Sequence, residues 1–219
     1  MKKSERTRQL IIREAAKLFN QKGFSGTSMS DIMEATQLTK GGIYGNFRKD
    51  AKTKEGVKKE IALAAFDYAV NEVLRCVGER TRVIENVVDK LKAVVYYYKE
   101  RILHPPVEGG CPILNAATEA DDALPFMRDR VIRELTDWHG RLVYTVEKGK
   151  ARLEIRSDVD ADQFATIFVG TLEGGILLAQ IHKSYTPFNI MANELLSKIE
   201  NIRLNPEGVP TPTTVPPNL

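Results

Sequence analysis

The sequence has few of the residues on which most catalytic and metal sites depend. Its three histidines are isolated, and none has a second ligand at a metal-binding spacing. Two cysteines in 219 residues do not make a disulfide framework. Nucleophile elbows, phosphate-binding glycine loops and dinucleotide fingerprints are missing as well. We therefore expect no metal, no cofactor and no enzymatic activity.

Long hydrophobic runs are also rare. The chain opens with Met-Lys-Lys-Ser-Glu-Arg and soon becomes amphipathic, which is unlike a secretion signal. The most apolar stretch, residues 164–181, is interrupted by threonine, glutamate, glycine and glutamine, so it predicts a buried helix rather than a membrane span. We expect a cytoplasmic protein with no membrane partner.

Residues 19–47 carry the most specific pattern in the chain. Gly23 follows an amphipathic helix, and Ser28 begins a capping-box pattern for a second helix. Thr39 can cap a third helix, which has Ile43 on its apolar face. Two short helices joined by a tight turn form a helix-turn-helix, and the second of them enters the major groove of DNA.

The end of this segment, Tyr44-Gly45-Asn46-Phe47, resembles the N-terminal signature of the TetR-type transcriptional regulators. That signature is a tyrosine, a variable residue, a histidine or asparagine, and a phenylalanine. Two later stretches, residues 110–115 and 172–175, look like one branch of the family's C-terminal domains. The resemblance implies three DNA-binding helices followed by a larger helical domain for ligand binding and dimerisation.

Helical patterns continue along the rest of the chain, and residues 153–156 are the only short alternating stretch. Glycine and proline predict most of the helix ends. The predicted later helices are 52–77, 83–103, a short helix from Pro112, 125–148, 160–183 and 187–204. We predict an all-α fold with a helix-turn-helix domain at 1–50, an effector-binding and dimerisation domain at 51–204, and a proline-rich disordered tail at 205–219.

Charge is distributed unevenly along the chain. Residues 1–54 contain 12 Lys and Arg against 5 Asp and Glu, whereas residues 55–219 contain 20 against 24. A basic head suits a polyanion such as double-stranded DNA, although charge runs often mark only a solvated surface. Together with the capped helix pair, the asymmetry favours DNA binding.

Two features differ from the family pattern. Gln37 occupies the turn before the third helix, where the family usually has glycine, and a left-handed backbone costs Gln about 1 kcal/mol more than Gly. Residues 48–60 insert roughly two mostly charged helical turns before the fourth helix. The lysine that contacts phosphate in this region is therefore one of Lys49, Lys52 and Lys54.

The predicted DNA contacts come from the outward face of the third helix and from nearby caps. Lys40 is the main candidate for reading base edges, with Thr39 and Tyr44 beside it. The resemblance implies phosphate contacts from Thr27 and Tyr44, and Asn46 can contact either phosphate or base. The predicted set is Thr27, Ser28, Thr39, Lys40, Gly41, Tyr44, Asn46 and Lys49.

The predicted helix 160–183 is apolar nearly all the way round. One interpretation is a central core helix, and the other is a helix that is partly core and partly subunit interface. The resemblance favours the second, because these regulators pair through their last long helices, and helix 125–148 would supply the other interface helix. The predicted interface residues are Ile167, Thr171, Gly174 and Leu178.

An effector pocket is predicted among the helices of residues 60–145, where aromatic residues are more frequent than surface helices require. Tyrosines 96–98 cannot all face inward, because successive helical positions differ by about 100°. The region predicts a hydrophobic or weakly polar effector, although each residue alone also fits an ordinary core. The predicted lining is drawn from Tyr96, Tyr97, Cys111, Asn115, Phe126 and Trp138.

The two cysteines have different expected roles. Cys76 lies in the apolar end of a long helix and fits a core position. Cys111 stands at a predicted helix start, which would lower the pKa of its thiol and make it a candidate sensor of electrophiles or oxidants. The alternative for Cys111 is a small residue in a tight corner.

These patterns favour a homodimeric regulator, more often a repressor than an activator, that releases a palindromic operator when a small molecule binds. Effector binding would move the long helix after residue 50 and change the separation of the two heads. The alternative is a helical ligand-binding or interaction protein that no longer binds DNA, because the segment after Phe47 differs from the family pattern. An enzyme ranks third.

Overall fold

The computed structural model describes residues 2–47, 53–102, 104–120 and 124–204. Within these ranges the chain is almost entirely helical, which confirms the all-α prediction. The helices are α1 Lys3–Gly26, α2 Met29–Thr36, α3 Lys40–Phe47, α4 Lys54–Thr81, α5 Val87–Arg101, α6 Pro112–Ala120, α7 Pro125–Ala151, α8 Ala161–His182 and α9 Tyr185–Asn201. The predicted tail after residue 204 lies outside the described residues.

The N-terminal head is built around one small apolar core. Ile11 of α1, Ile32 of α2, and Ile43 and Phe47 of α3 are fully buried. The first half of α4 completes this core with Val57, Ile61, Ala65 and Ala69. Because α4 packs into the head at one end and into the body at the other, the predicted boundary at residue 50 separates the head from a helix that both parts share.

Local signals in the head behave as the sequence predicts. Ser28 and Asp31 form a capping box at the start of α2. The Thr39 hydroxyl accepts the N–H of Gly42 at 3.3 Å and caps α3. Gly23 has φ of +73° and breaks α1 three residues before its end, while Gln37 takes the left-handed conformation with φ of +57°.

The body has a second core formed by α5, α7, α8 and α9. Phe168 and Leu172 of α8 and Phe188 and Leu195 of α9 are fully buried in it. By length and composition α8 is apolar enough to cross a membrane. In the structure it packs between α7 and α9 with one face in this core.

Several predicted helix ends differ from the structure. Gly78 and Gly149 were expected to end helices, but α4 continues to Thr81 and α7 to Ala151. At Gly149 the reason is packing, since a Cβ there would lie 2.5 Å from Cδ1 of Ile155. Ile155 itself lies in the short alternating stretch and forms an isolated antiparallel bridge with Arg203.

Two helices also begin at positions other than those predicted. The α5 helix starts at Val87 rather than residue 83, because Asn86 caps it by accepting the N–H of Asp89 at 3.1 Å. The α9 helix starts at Tyr185, two residues before the predicted Pro187, behind the cap of Ser184. The α8 helix starts close to the predicted residue 160, where Asp160 caps it by accepting the N–H groups of Asp162 and Gln163.

Candidate nucleic-acid interface and ligand cavity

The outward face of α3 combines a cation, an aromatic ring and glycines. Lys40, Gly41 and Gly45 are exposed, and Tyr44 is half-buried. The Lys40 ammonium lies 5.7 Å from the centre of the Tyr44 ring. A Cβ on Gly45 would meet no atom within 4 Å. This face can therefore approach a duplex closely and present a positive charge to it.

Arg8 holds the far end of α3 in place, and the sequence reasoning missed it. Its guanidinium donates to the carbonyl oxygen of Asn46 at 2.8 Å and lies 4.0 Å from the centre of the Phe47 ring. It also pairs with Glu60 of α4 at 3.3 Å. A cation that binds a helix C-terminus stabilises the helix, so Arg8 positions α3 against α1 and α4. No simple sequence pattern distinguishes Arg8 from its basic neighbours.

The remaining predicted DNA contacts differ in what they can reach. Ser28 and Thr39 are exposed at the starts of α2 and α3. Thr27 is 1% exposed, and its hydroxyl donates to the Gly23 carbonyl at 2.7 Å, so this side chain faces the fold. The Asn46 amide donates to the Gly42 carbonyl within α3 at 2.7 Å. Lys49 lies outside the described residues.

A cavity of about 210 Å³ lies between α4, α5, α6 and α7. It is lined mainly by apolar side chains, with Trp138 and Tyr98 as its aromatic members. The lining residues are Val70, Val73, Leu74, Val77, Thr81, Lys90, Leu91, Val94, Tyr98, Cys111, Pro112, Ile113, Trp138, Arg141, Leu142 and Thr145. Its position among these helices makes it the best candidate for the predicted effector pocket.

The structure brings only two of the predicted pocket residues, Cys111 and Trp138, to this cavity. Tyr96 is 48% exposed, which confirms that the three tyrosines do not all face inward. Tyr97 is buried beside Cys76, and burial raises the pKa of its hydroxyl. Tyr98 is the tyrosine that reaches the cavity, and helical periodicity alone could not select it.

The other two predicted pocket residues lie at the joint between head and body. Phe126 packs edge-on against Phe24, with ring centres 5.2 Å apart. The Asn115 amide donates to the carbonyl oxygens of Asn20 and Gly109 at 2.9 Å and 2.6 Å. Both residues tie α6 and α7 to the end of α1.

Glu119 completes this joint. The break at Gly23 frees the N–H groups of Phe24 and Ser25, and the Glu119 carboxylate accepts them at 2.9 Å and 3.0 Å. A Cβ on Gly23 would lie 1.6 Å from Glu119 Oε1, so the contact requires glycine. Asn20 adds two bonds by donating to carbonyl oxygens of residues 108 and 110. The helix that borders the cavity is therefore bonded directly to the head.

Cys111 does not have the environment of a reactive thiol. Burial and the neighbouring Glu173 raise its pKa well above the ordinary value, outweighing the helix N–H groups of Ile113 and Leu114 that lower it. The expected lowering of this pKa is therefore wrong, because desolvation favours the neutral thiol. The thiol donates to Glu173 Oε1 at 3.0 Å. These contacts favour a packed structural residue over a thiolate sensor.

The exposed apolar stripe of α8 is shifted from the one predicted. Ile167, Thr171 and Gly174 are half-buried, and a Cβ on Gly174 would lie 3.5 Å from Met191 of α9. Leu178 is exposed, as are Leu177 and Ile181. A Cβ on Gly174 would thus make only an ordinary van der Waals contact with α9, so packing there does not require glycine.

The head, its outward α3 and the helical body define a helix-turn-helix regulator that binds DNA. The model of the family described as bacterial regulatory proteins, tetR family, matches residues 11–53, and that of the tetracyclin repressor-like C-terminal domain matches residues 87–195. The chain belongs to the TetR family of transcriptional regulators.

Other regulators are similar to this chain over nearly its whole length. A TetR transcriptional regulator from Chloroflexus aurantiacus J-10-FL is 39% identical, with a TM-score of 0.86 over 94% of this chain and 100% of that one. A TetR family regulator from Cytophaga hutchinsonii is 33% identical, with a TM-score of 0.82 over 94% and 98%. The HTH-type transcriptional repressor DhaR of Mycobacterium sp. (strain GP1) is 22% identical, covering 89% of this chain and 95% of its own.

Proposed function

We propose that this DNA-binding regulator is a cytoplasmic repressor that releases a palindromic operator when a small molecule enters the cavity among α4, α5, α6 and α7. The outward face of α3 is the observation that carries the DNA-binding part of this proposal. Lys40, Gly41 and Gly45 are exposed there, while Ile43 and Phe47 anchor the helix from behind.

Within this proposal, α3 supplies the sequence-reading contacts. Lys40 reads base edges in the major groove, and Tyr44 contacts phosphate next to it. Thr39 and Ser28, exposed at helix starts, are further phosphate contacts. The inward hydroxyl of Thr27 leaves only its backbone for DNA, and Asn46 must release its bond to Gly42 before its amide can take part.

The subunits pair through α8 and α9 in this proposal. Leu177, Leu178 and Ile181 lie on the outward side of α8, and Ile190 on α9 is 61% exposed. An apolar surface of this kind on the last two helices suits a twofold interface, in which each residue set meets its own copy. The predicted pairing through α7 has less support, because its exposed Ile132 and Tyr144 lie on different sides of that helix.

Effector control follows from the position of α6. One side of α6 borders the cavity at Cys111, Pro112 and Ile113, and Glu119 near its other end holds the broken end of α1. A ligand that displaces α6 therefore acts on the head through bonded contacts, while α4 transmits the same movement through the shared core. Such coupling shifts the equilibrium between two head positions rather than creating a new one.

Operator affinity in variants of α3 tests the DNA-binding assignment. Duplexes from the region upstream of the protein's own gene would be screened by fluorescence anisotropy with competitor DNA. Lys40→Ala should weaken the specific complex by about 1–3 kcal/mol and relax base preference at one position of each half-site. Tyr44→Ala should weaken all duplexes about equally. Lys148→Ala, an exposed lysine of α7, is the control and should leave affinity unchanged.

Unchanged operator affinity in both α3 variants would remove α3 from the interface. If instead the wild type bound ligands but no duplex, the alternative of a ligand-binding protein without specific DNA binding would replace this proposal.

A further inference from the structure

Among the described residues, the charged side chains that line the cavity are cations. They are Lys90 of α5, which is half-buried, and Arg141 of α7, which is exposed, and no described aspartate or glutamate lines the cavity. Among the described residues, neither Lys90 nor Arg141 forms an ion pair. Two cations beside an apolar cavity, without a protein carboxylate to neutralise them, favour a ligand that supplies the negative charge.

The cations lie toward one end of the cavity. The start of α5 meets the end of α7, where the Val87 N–H donates to Glu154. Lys90 and Thr145 lie near this end, and Arg141 is one turn further in. Tyr98, Cys111 and Trp138 line the opposite end, beside α6. The cavity thus has a cationic end at Lys90 and an apolar end at Tyr98, about 12 Å apart along α5, while Arg141 lies within about one helical turn of Trp138 along α7.

Other donors at the cationic end are already used. The Thr81 hydroxyl donates to the Val77 carbonyl at 2.9 Å, and the Thr145 hydroxyl donates to the Arg141 carbonyl at 2.7 Å. Lys90 and Arg141 therefore hold the donors that remain for a ligand at this end. Ammonium and guanidinium groups donate but cannot accept hydrogen bonds, so the ligand group between them must be an acceptor.

The size of the cavity limits the ligand further. A dry cavity of about 150 Å³ accommodates benzene. The present cavity of about 210 Å³ therefore holds a body somewhat larger than one aromatic ring or a medium-length alkyl chain.

We infer that the effector is a small organic anion, with an apolar body against Trp138 and Tyr98 and a carboxylate or similar group between Lys90 and Arg141. This inference rests on the proposed function, because it names the chemical class of the molecule that fills the effector cavity. The sequence predicts a hydrophobic or weakly polar effector, and this inference narrows that class to anions. The two cations should make an anion bind more tightly than a neutral molecule of equal size.

Trp138 provides the readout, because it is the chain's single tryptophan and lines the cavity. Octanoate, 1-octanol and octylamine share one alkyl chain and differ in charge near neutral pH. Titrations of wild-type protein, followed by Trp138 fluorescence, should give octanoate at least about tenfold tighter binding than octanol, since hydrogen bonds to charged groups are stronger than neutral ones. Octylamine should bind most weakly.

The variant Lys90→Met with Arg141→Met should lose this preference, while Lys148→Met on the exposed surface of α7 should keep it. Lys90→Arg with Arg141→Lys retains both charges and should also keep it, which separates charge from a change in fold. Circular dichroism and melting temperature check that each variant is folded.

Equal affinity for the three probes, a preference for octylamine, no binding of any probe, or an octanoate preference that survives in the double methionine variant would each overturn the inference. Operator affinity measured in the same samples separates this outcome from failure of the proposed function. If octanoate binds with the expected preference and operator affinity does not change, the ligand class stands and the effector role of the cavity fails.

Discussion

Gln37 is held in a backbone conformation that its side chain disfavours. Its φ of +57° lies in the left-handed region, at the turn between α2 and α3. Glycine adopts this backbone conformation at a lower free-energy cost than glutamine does. The turn fixes the angle at which α3 leaves α2, so the head retains the conformation through the packing of both helices. The strain therefore lies directly beside the DNA-binding face.

We predict that Gln37→Gly raises the free energy of unfolding by about 1 kcal/mol, because the left-handed strain is removed. Urea unfolding, followed by circular dichroism, measures this change. Glu34→Gly in α2 is the control and should lower stability by about 1 kcal/mol, since a helical position gains nothing from glycine. A loss of stability in Gln37→Gly would show that the turn carries no strain.

Glu173 is a half-buried acid that contacts Cys111 in the cavity wall. Its Oε2 is enclosed and has no hydrogen-bond partner among the described residues. Burial raises its pKa to about 7, and the hydrogen bond from the Cys111 thiol opposes that rise. The pKa of Glu173 in the folded state lies above the ordinary value of 4.5. The contribution of its protonated form to the free energy of unfolding is therefore fully present below about pH 4.5. That contribution is lost as the pH rises through about 7.

We predict that Glu173→Gln gains stability relative to the wild type as the pH rises. Glutamine keeps an acceptor for the thiol but cannot ionise, so the difference should grow by about 2–3 kcal/mol between about pH 5 and about pH 8. Urea unfolding at several pH values measures it. Glu194→Gln on the exposed side of α9 is the control and should show no such trend. A constant difference across this range would mean that Glu173 is solvated.

At the scale of helices, α1 and α6 are joined by hydrogen bonds that cross between head and body. Glu119 accepts two backbone N–H groups of α1, and Asn20 and Asn115 add side-chain bonds to the same region. These polar contacts are specific in direction, unlike the apolar contacts of the shared core. They make α6 a second connection between the cavity and the head, beside the shared helix α4.

We predict that Glu119→Ala lowers the free energy of unfolding by about 1–3 kcal/mol, since two N–H groups lose a charged acceptor. Hydrogen exchange at Phe24 and Ser25 should become faster, while exchange in α9 should change only with global stability. Thr118→Ala, an exposed neighbour on α6, should have little effect on either. Unaltered exchange at Phe24 and Ser25 would show that this joint is not held by Glu119.

The helices that were predictable from sequence are those whose caps and periodicity agree. Ser28 and Thr39 each mark a helix start that the structure confirms. The glycines at residues 78 and 149 led to wrong predictions of helix ends. A Cβ on Gly149 would collide with Ile155, so glycine is needed there for packing inside the helix, whereas a Cβ on Gly78 would meet no atom within 4 Å. Arg8 and Tyr98 were missed since their roles depend on contacts between helices, which a single sequence does not contain.

At the scale of the whole molecule, the charge is divided between two parts. The excess of basic residues lies in the first 54 residues, and the rest of the chain is mildly acidic. The acidic body repels the DNA backbone, so DNA should contact the head and should not wrap around the rest of the protein. Operator affinity should therefore fall steeply with salt. The two heads of a dimer must act together, because one short helix offers few contacts.

We predict that Leu177→Glu with Ile181→Glu converts the dimer to monomer, because like charges would face each other across the twofold axis. Sedimentation velocity measures the change, and operator affinity should fall with it. Ile132→Glu on α7 introduces the same charge on another exposed apolar residue and should leave the dimer intact. A dimer that persists in the α8 variant, or one lost in the α7 variant, would move the interface to α7.

Half-site spacing tests the central claim of a two-headed, α3-reading regulator most directly. A palindromic operator would be compared with versions that carry about 5 or about 10 extra base pairs between its half-sites, by anisotropy at fixed salt. Insertion of about half a turn places the half-sites on opposite faces of the duplex. The account predicts that this insertion removes specific binding and leaves only the weak, salt-sensitive background, and that a full turn restores binding at most in part. Affinity that is insensitive to spacing would contradict it, because the two heads would then bind independently.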